Sequence, residues 1–212
     1  MANRKPIVLR AARPTFEEGL VFARYLDEAA EGFIRLMLGS RSEEIVARAF
    51  VCPQNDYSFE NVTFAEVDQE IVGMASGFTG RAMQDFSDEP LNRAAGFPAL
   101  RMRATRIAFA PILRILKSVP DEDFYLLSLA VQQKFRGQGI ASALMDSLEE
   151  RAVEEGSERM SLHVSAKNEG AIRLYRRRGM SVVSSWPTLS FVSPVFVHMS
   201  RSVCLETQDR FG

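Results

Sequence analysis

The sequence predicts an α/β (α+β) fold in which helices flank a mixed central sheet of about six to seven strands. Apolar runs of strand length alternate along the chain with amphipathic segments of helix length. One run, Phe124–Val131, is almost wholly apolar, as expected of a strand that is buried on both faces. A later segment, Ile140–Glu155, repeats apolar residues at helical spacing and is followed by Gly156, a residue typical of helix ends.

Before the central strand, the pattern predicts an edge strand and two helices. Ile7–Arg10 alternates weakly between apolar and polar residues and fits an edge strand. Pro14 and Thr15 precede a stretch with apolar residues at helical spacing. A second helix is expected over Ser42–Phe50, with Ser42 as its N-cap.

The remaining elements follow from β-branched runs and turn residues. Asn61–Val67 and Glu70–Phe78 are separated by two polar residues and predict a hairpin. Gly80–Pro120 interrupts the pattern and is interpreted as an insert within a single domain spanning residues 1–212. The last predicted elements are a strand, a helix and two strands: Met160–Ser165, Asn168–Arg178, Met180–Trp186 and Val195–Arg201.

Composition excludes several functional classes. The 212 residues are 46% hydrophobic and carry a net charge of −1, so no global electrostatic attraction to nucleic acid or membranes is expected. Two cysteines, Cys52 and Cys204, make no disulfide framework, and two histidines, His163 and His198, make no His-rich metal site. No stretch approaches the roughly 20 apolar residues of a membrane span. We therefore expect a cytoplasmic protein without a metal.

The segment from Val131 to Ala141 carries the chemistry that the sequence reveals. A buried strand leads into a glycine-containing loop, and the loop leads into a helix. Free N–H groups and the dipole at a helix start favour an anion, and Gly137 and Gly139 let the backbone approach a phosphate. Arg136 adds a positive charge. The alternative is that both glycines only shape a tight turn.

Two common phosphate loops do not fit this segment. The P-loop motif requires a lysine after its last glycine, and Ile140 stands there. The dinucleotide fingerprint GxGxxG requires a third glycine, and Ser142 occupies that place. ATP and NAD are therefore not the expected ligands.

A third family does fit. Arg136-Gly137-Gln138-Gly139-Ile140-Ala141 resembles the [QR]-x-x-G-x-[GA] signature of the GNAT N-acetyltransferase superfamily. Downstream, the chain resembles the family's LxV…N..A..LY…GF stretch, with Met180 in place of the usual Phe; the matching residues are Leu162, Val164, Asn168, Ala171, Leu174, Tyr175 and Gly179. Methionine also fills an apolar gap, so this departure costs little.

The resemblance implies a site for acetyl-CoA between two splayed central parallel strands, Phe124–Val131 and Met160–Ser165. The backbone of Leu129 and Val131 would hydrogen-bond the pantetheine arm. Asn168 would reach that arm, although an N-cap role for the next helix is equally open. The pyrophosphate would be held by the N–H groups of Arg136, Gly137, Gln138, Gly139, Ile140 and Ala141.

The resemblance also implies the activity, transfer of acetyl from acetyl-CoA to a primary amine by direct attack in a ternary complex. Tyr175 matches the family's frequent general acid and would lie beside the cofactor; its alternative is an aromatic side chain packed on the sheet. The Val131 N–H would stabilise the oxyanion. The competing function is a non-catalytic coenzyme A binding or regulatory module on the same fold.

The sequence leaves the base and the acceptor open. Candidate bases lie on the hairpin and around the central strand: Glu66, Tyr125, Ser128, Asp121, Glu122 and Asp123. His163 and His198 are expected to be structural, because His163 alternates with apolar residues that face the opposite side of the sheet. Arg101 and Arg103 open a basic run in the insert that would select an acidic acceptor or form a solvated helix face. The expected partner is a small-molecule or peptide amine, and a homodimer is left open.

Overall fold

One seven-stranded sheet organises the computed structural model, which describes residues 6–96, 107, 110, 119–187 and 194–203. The strands in chain order are β1 Val8–Ala11, β2 Val62–Val67, β3 Glu70–Thr79, β4 Asp123–Val131, β5 Arg159–Ser165, β6 Ser181–Trp186 and β7 Phe196–Ser202. Their order across the sheet is β1-β2-β3-β4-β5-β7-β6. Within these strands β4 and β5 run parallel, and the other neighbouring pairs run antiparallel. The predicted mixed sheet is confirmed.

Seven α-helices are described around the sheet. They are α1 Phe16–Ala29, α2 Phe33–Leu38, α3 Ser42–Phe50, α4 Gly80–Gln84, α5 Glu89–Ala95, α6 Ile140–Glu154 and α7 Glu169–Arg177. Thr15 caps α1 by accepting from the Glu18 N–H at 3.3 Å. The predicted bounds of α3 are confirmed, but Ser42 is not its cap: Arg41 is the N-cap, and Ser42 is a buried residue of the first turn.

The predicted hairpin is confirmed as β2 and β3. Its two turn residues, Asp68 and Gln69, both have positive φ, 52° and 66°. Two consecutive positive φ values are the mark of a type I′ turn, whose twist matches the flanking strands. The turn therefore fixes the register in which Val67 faces Glu70.

The helices bury apolar side chains on both faces of the sheet. On one face, α6 and α7 pack in a cluster that includes Leu126, Val131, Ile140, Leu144, Leu162 and Tyr175. On the other face, the N-terminal helices pack in a second cluster that includes Phe22, Leu26, Ile45, Phe50, Phe64 and Met74. Alternate residues of β4 enter the two clusters, with Val131 in the first and Ala130 in the second. The strand is thus covered on both sides, as its apolar sequence predicts.

The insert is described only in part. Helices α4 and α5 form its first section, and α5 contributes Leu91 and Ala95 to the second cluster. The basic run with Arg101 and Arg103 lies outside the described residues, and the assignment of 1–212 to one domain remains a prediction. Among the helices that the structure describes, none is long and apolar enough to cross a membrane.

Candidate active site

The two parallel strands separate partway along their length. Their pairing begins at Asp123 with Arg159 and ends at Leu126 with Leu162. Both strands continue beyond that point, β4 to Val131 and β5 to Ser165. A gap therefore opens between them at their carboxyl ends, and the predicted splay is confirmed.

A β-bulge on β4 marks the start of this gap. Ser76 of β3 pairs with Ser128, whereas the next residue, Gly77, pairs with Leu126. Leu127 is the extra residue of β4 and has no partner in this register. A bulge of this kind bends a strand and increases its twist. The bend lies one residue beyond the last β4–β5 pair, so it helps to turn β4 away from β5.

The backbone of β4 beyond the bulge points into the gap. The Gln132 N–H donates to the Val72 carbonyl at 2.9 Å and is therefore turned toward β3. Successive residues of a strand direct their N–H and C=O groups to opposite sides. Leu129 and Val131 consequently direct their backbone N–H and C=O groups toward β5, at a point where the pairing of the two strands has ended. The contact of these backbone groups with a pantetheine arm stays a prediction.

The loop after β4 leaves a row of backbone donors at the start of α6. Gln133–Phe135 forms a short 3₁₀ turn, and the Arg136 N–H donates to the Gln133 carbonyl at 3.2 Å. Gly137 and Gly139 have φ of +75° and +90°, which side chains rarely adopt. Within the described residues, no atom lies within 4 Å of where a Cβ would stand on either glycine. The space over this turn is open.

The first turn of α6 suits an anion. Gly139 is its N-cap and supplies no side-chain hydrogen bond, and the first turn contains no acidic residue. The first N–H groups of a helix have no partner inside it. Gly137, Gln138, Gly139, Ile140 and Ala141 therefore offer the amides that remain for a phosphate, because the Arg136 amide is already used.

The Arg136 side chain ties this loop to α1. Its Nη2 lies 2.8 Å from Glu28 Oε1, and its Nε donates to the Val131 carbonyl at 3.0 Å. Nearby, Lys134 pairs with Glu70 at 2.9 Å. Glu28 was not predicted from the sequence, because it lies far from the loop in the chain and no local pattern marks it. The carbonyl of Val131 is thus occupied by Arg136, while its N–H faces the gap.

Asn168 acts as the N-cap of α7 at the carboxyl end of β5. Its Oδ1 accepts from the Ala171 N–H at 3.1 Å, and the side chain is half-buried. The capping alternative is therefore observed. The side-chain amide can still donate from Nδ2, for which the described residues supply no acceptor. Both roles fit a single orientation of the side chain.

Tyr175 lies on α7, over the same side of the gap as Val131. It is 6% exposed and belongs to the cluster that contains Val131 and Ile140, with Leu129 and Ala141 packed against it. Burial raises the pKa of the Tyr175 phenol, so the hydroxyl stays protonated throughout the working range of an enzyme. The residue packs on the sheet and also holds a proton that it can donate.

The acidic candidate bases are engaged elsewhere. Asp123 is 2% exposed and lies 2.8 Å from Arg159 Nε, and Glu122 pairs with the same guanidinium at 3.1 Å. Asp121 accepts from Gln84. All three precede or begin β4, at the opposite end of the strand from the loop. Glu66 on β2 pairs with Arg10 at 2.7 Å.

The face of β4 and β5 away from α7 carries polar side chains. The Tyr125 hydroxyl lies 3.2 Å from His163 Nδ1, and the His163 ring stacks on His198 with centroids 4.7 Å apart. Burial, followed by the nearby His198, lowers the pKa of His163 to about 4. Ser128 is buried, and its hydroxyl has no hydrogen-bond partner among the residues that the structure describes. Leu162 and Val164 enter the cluster on the α7 side, so His163 lies on the predicted face.

The sequence and the fold match one family of acyltransferases. A sequence profile described as "Acetyltransferase (GNAT) family" matches residues 31–180. The chain belongs to this family, whose chemistry is acyl transfer. In the part of the chain that the structure describes, no group of three or more His, Cys, Asp or Glu residues could hold a metal ion.

Individual relatives agree with this assignment. The chain is 38% identical over 65 residues to "Uncharacterized N-acetyltransferase YdgE" from Bacillus subtilis, a match that covers 31% of this chain and 41% of that protein. The chain thus spans about two fifths of that relative's length. An acetyltransferase crystal structure superposes with a TM-score of 0.63 at 24% identity, covering 92% of this chain and 99% of that one. An N-acetyltransferase from Staphylococcus aureus Mu50 gives 0.63 at 18%, covering 92% and 100%. These structures show the shared fold.

Proposed function

We propose that this chain is an acetyl-CoA-dependent N-acetyltransferase that acts on a primary amine by direct attack within a ternary complex. The observation that carries the proposal is the gap between β4 and β5, which opens beside the uncovered glycine turn at Gly137–Ala141. The buried phenol of Tyr175 packs in the same cluster as Val131. An acyl donor, an anion-binding turn and a proton donor would therefore meet at one place.

In this proposal the backbone recognises most of acetyl-CoA. The free amides of Gly137–Ala141 hold the pyrophosphate, with the dipole of α6 favouring its negative charge. Leu129 and Val131 hydrogen-bond the pantetheine arm as a short additional strand, and Asn168 donates from Nδ2. Arg136 can exchange its partner Glu28 for a phosphate, because the ion pair lies at the surface. The Arg136 side chain is 58% exposed and the Glu28 side chain is 50% exposed.

The same geometry supports the chemical step. The neutral amine attacks the thioester carbonyl, and the Val131 N–H donates to the oxygen as negative charge develops on it. A single preorganised donor of this kind contributes about 10²–10³ in rate. Tyr175 gives its proton to the departing sulfur, which avoids release of a bare thiolate into a dry site.

A screen for coenzyme A release tests the proposal. Purified protein is incubated with acetyl-CoA and a panel of polyamines, amino acids, aminoglycosides and peptides with free amino groups. Release that depends on both protein and an amine is the expected result. Binding of acetyl-CoA without release for any amine would indicate the non-catalytic module instead, and absence of binding would contradict both functions.

A further inference from the structure

Tyr125 and His163 form a hydrogen-bonded pair at the closed end of the gap. Tyr125 immediately precedes Leu126, the last residue of β4 that pairs with β5. Its ring is 4% exposed, and its hydroxyl lies 3.2 Å from His163 Nδ1. His163 stands one residue beyond Leu162, the matching last pair on β5. The pair therefore bridges the two strands where they begin to separate.

The surface around this pair contains hydroxyl groups that lack partners. Among the described residues, three buried serine hydroxyls of β3, β4 and β5 lack a hydrogen-bond partner: Ser76, Ser128 and Ser161. Register places them together, because Ser76 faces Ser128 and Ser161 faces Tyr125. Native proteins rarely leave buried polar groups unsatisfied. Ser128 lies beyond the last β4–β5 pair, so a polar ligand in the gap would supply the missing partner of this hydroxyl.

The two phenols of the site lie close enough to influence each other. Burial is the main cause of the raised pKa of Tyr125, followed by Asp56, and Tyr175 makes a smaller contribution that places it within electrostatic reach. Tyr175 approaches the gap from the α7 side, and Tyr125 lies on the opposite face. An acceptor entering from the Tyr125 side would therefore meet a thioester held between the two hydroxyls.

We propose that Tyr125 takes up the proton that the acceptor nitrogen loses, and that His163 enables this by accepting the Tyr125 hydroxyl proton. This inference rests on the proposed function. In the described residues the acidic alternatives Glu66, Glu122 and Asp123 are held in ion pairs. Tyr125 contacts the acceptor, and His163 is a positioning residue that acts through Tyr125.

The proton transfers balance. The C–N bond forms, the C–S bond breaks, and Tyr175 protonates the sulfur. One N–H proton of the attached nitrogen passes to Tyr125 Oη while the original hydroxyl proton passes to His163 Nδ1. The imidazolium then loses one proton to solvent, and proton exchange with solvent at the two ring nitrogens returns the neutral ring to the tautomer with the lone pair at Nδ1.

In the free protein, burial keeps both the Tyr125 phenol and the His163 ring uncharged. Burial holds the pKa of Tyr125 above its ordinary value, so the phenol does not ionise by itself and needs an acceptor for its proton. The lowered pKa of His163 keeps its ring neutral near pH 7, and in the Nε2–H tautomer that the proposal requires, Nδ1 accepts from the Tyr125 hydroxyl. The groups that bear electrostatically on the two residues are Asp56, Tyr175, and His198 with its neighbours Asp123 and Arg159.

Three variants of the full chain test the inference with the amine that releases coenzyme A fastest in the panel. Tyr125→Phe keeps the ring against Phe78, whose centroid lies 5.9 Å away, and removes only the hydroxyl. His163→Gln removes the ring nitrogens. The double variant reports whether the two residues act together. His198→Gln is the matched control, because it alters the stacked ring and leaves the Tyr125–His163 hydrogen bond in place.

Each single variant should lower kcat by about 10²-fold, the range of general acid–base groups, with acetyl-CoA affinity unchanged by calorimetry. The double variant should lose no more than the worse single variant, since groups that act as a unit are not additive. His198→Gln should retain kcat within about threefold. Folding is checked by thermal unfolding of every variant, and the intact acetyl-CoA affinity marks a formed site.

Wild-type kcat in Tyr125→Phe, or losses that multiply in the double variant, would overturn the relay while leaving the acetyltransferase proposal standing. A His198→Gln loss equal to that of His163→Gln would also overturn it, because general packing would then explain both. If wild-type protein releases coenzyme A with no amine of the panel, the proposed function fails and this inference fails with it.

Discussion

The two ends of β4 differ in how their polar groups are satisfied. At the amino end, Asp123 and Glu122 pair with Arg159, and the strand is hydrogen-bonded to β5. At the carboxyl end, the pairing has stopped, and the backbone of Leu129 and Val131 faces a gap. Both ends carry ion pairs, but only the carboxyl end leaves backbone groups of β4 without a strand partner.

The largest expected effect comes from placing a charge at the open end. Gly139→Asp should weaken acetyl-CoA binding by at least about 100-fold, because like charges near 4 Å repel by about 4 kcal/mol at a partly screened site. Gly139→Asn is the matched control, since it has the same shape and both residues tolerate positive φ better than other side chains. Calorimetry on both folded variants measures their acetyl-CoA affinities, and the difference between them is the effect of the charge. Equal affinities for Asp and Asn would show that no phosphate approaches this turn.

The next effect separates chemistry from binding at the same end. Tyr175→Phe should lower kcat by about 10²-fold while acetyl-CoA affinity stays unchanged, because only the proton donor is lost. Tyr25→Phe is the control for loss of a buried phenol hydroxyl outside the proposed chemistry. The Tyr25 hydroxyl donates to the Ile71 carbonyl at 3.0 Å. Steady-state kinetics with the best amine of the panel provides the measurement. Undiminished turnover in Tyr175→Phe would assign the proton to another donor.

Substitutions at the closed end of β4 should lower the stability of the protein and leave its acetyl-CoA affinity unchanged. Arg159→Gln leaves the buried Asp123 without its ion pair. We expect the free energy of unfolding to fall by about 1–3 kcal/mol, a range that already allows for the partial exposure of Arg159. Arg173→Gln breaks an exposed pair with Glu169 and should cost less than about 0.5 kcal/mol. Urea unfolding measures both. A large fall in acetyl-CoA affinity for folded Arg159→Gln would erase the distinction between the two ends.

The smallest effect concerns the ion pair between Arg136 and Glu28 at the open end of β4. Glu28→Gln frees Arg136 from a surface partner worth at most about 1 kcal/mol, so acetyl-CoA should bind up to about fivefold more tightly. The change should fade at high salt because the pair is exposed. Calorimetry at two ionic strengths measures it. Weaker binding in the variant would mean that Glu28 holds Arg136 in its binding position.

Local sequence patterns predicted most elements of this fold. The bounds of α3 follow from its apolar spacing, and the hairpin turn follows from Asp68-Gln69 between two β-branched runs. Helix α2 was missed, since six residues between two glycines are too short to show a helical period. Ser42 was placed at the wrong position because propensity cannot distinguish a cap from a buried first-turn serine.

The site was predictable where it depends on neighbours in the chain. Gly137, Gly139 and the start of α6 follow directly from the loop sequence and its resemblance to a family signature. The Arg136–Glu28 and Tyr125–His163 contacts join residues far apart in the chain, and alternation fixes only the face on which a side chain lies. Cross-strand register decides which of those side chains meet, and single-sequence patterns do not contain it.

Amide hydrogen exchange with and without saturating acetyl-CoA tests the contrast between the two ends of β4 most directly. Acetyl-CoA should slow exchange by at least about tenfold at Leu129, Val131 and Gly137–Ala141, because these amides gain partners on binding. Exchange over Asp123–Leu126, where β4 is already paired, should not change. Protection confined to Asp123–Leu126, or no protection at Gly137–Ala141, would contradict the account.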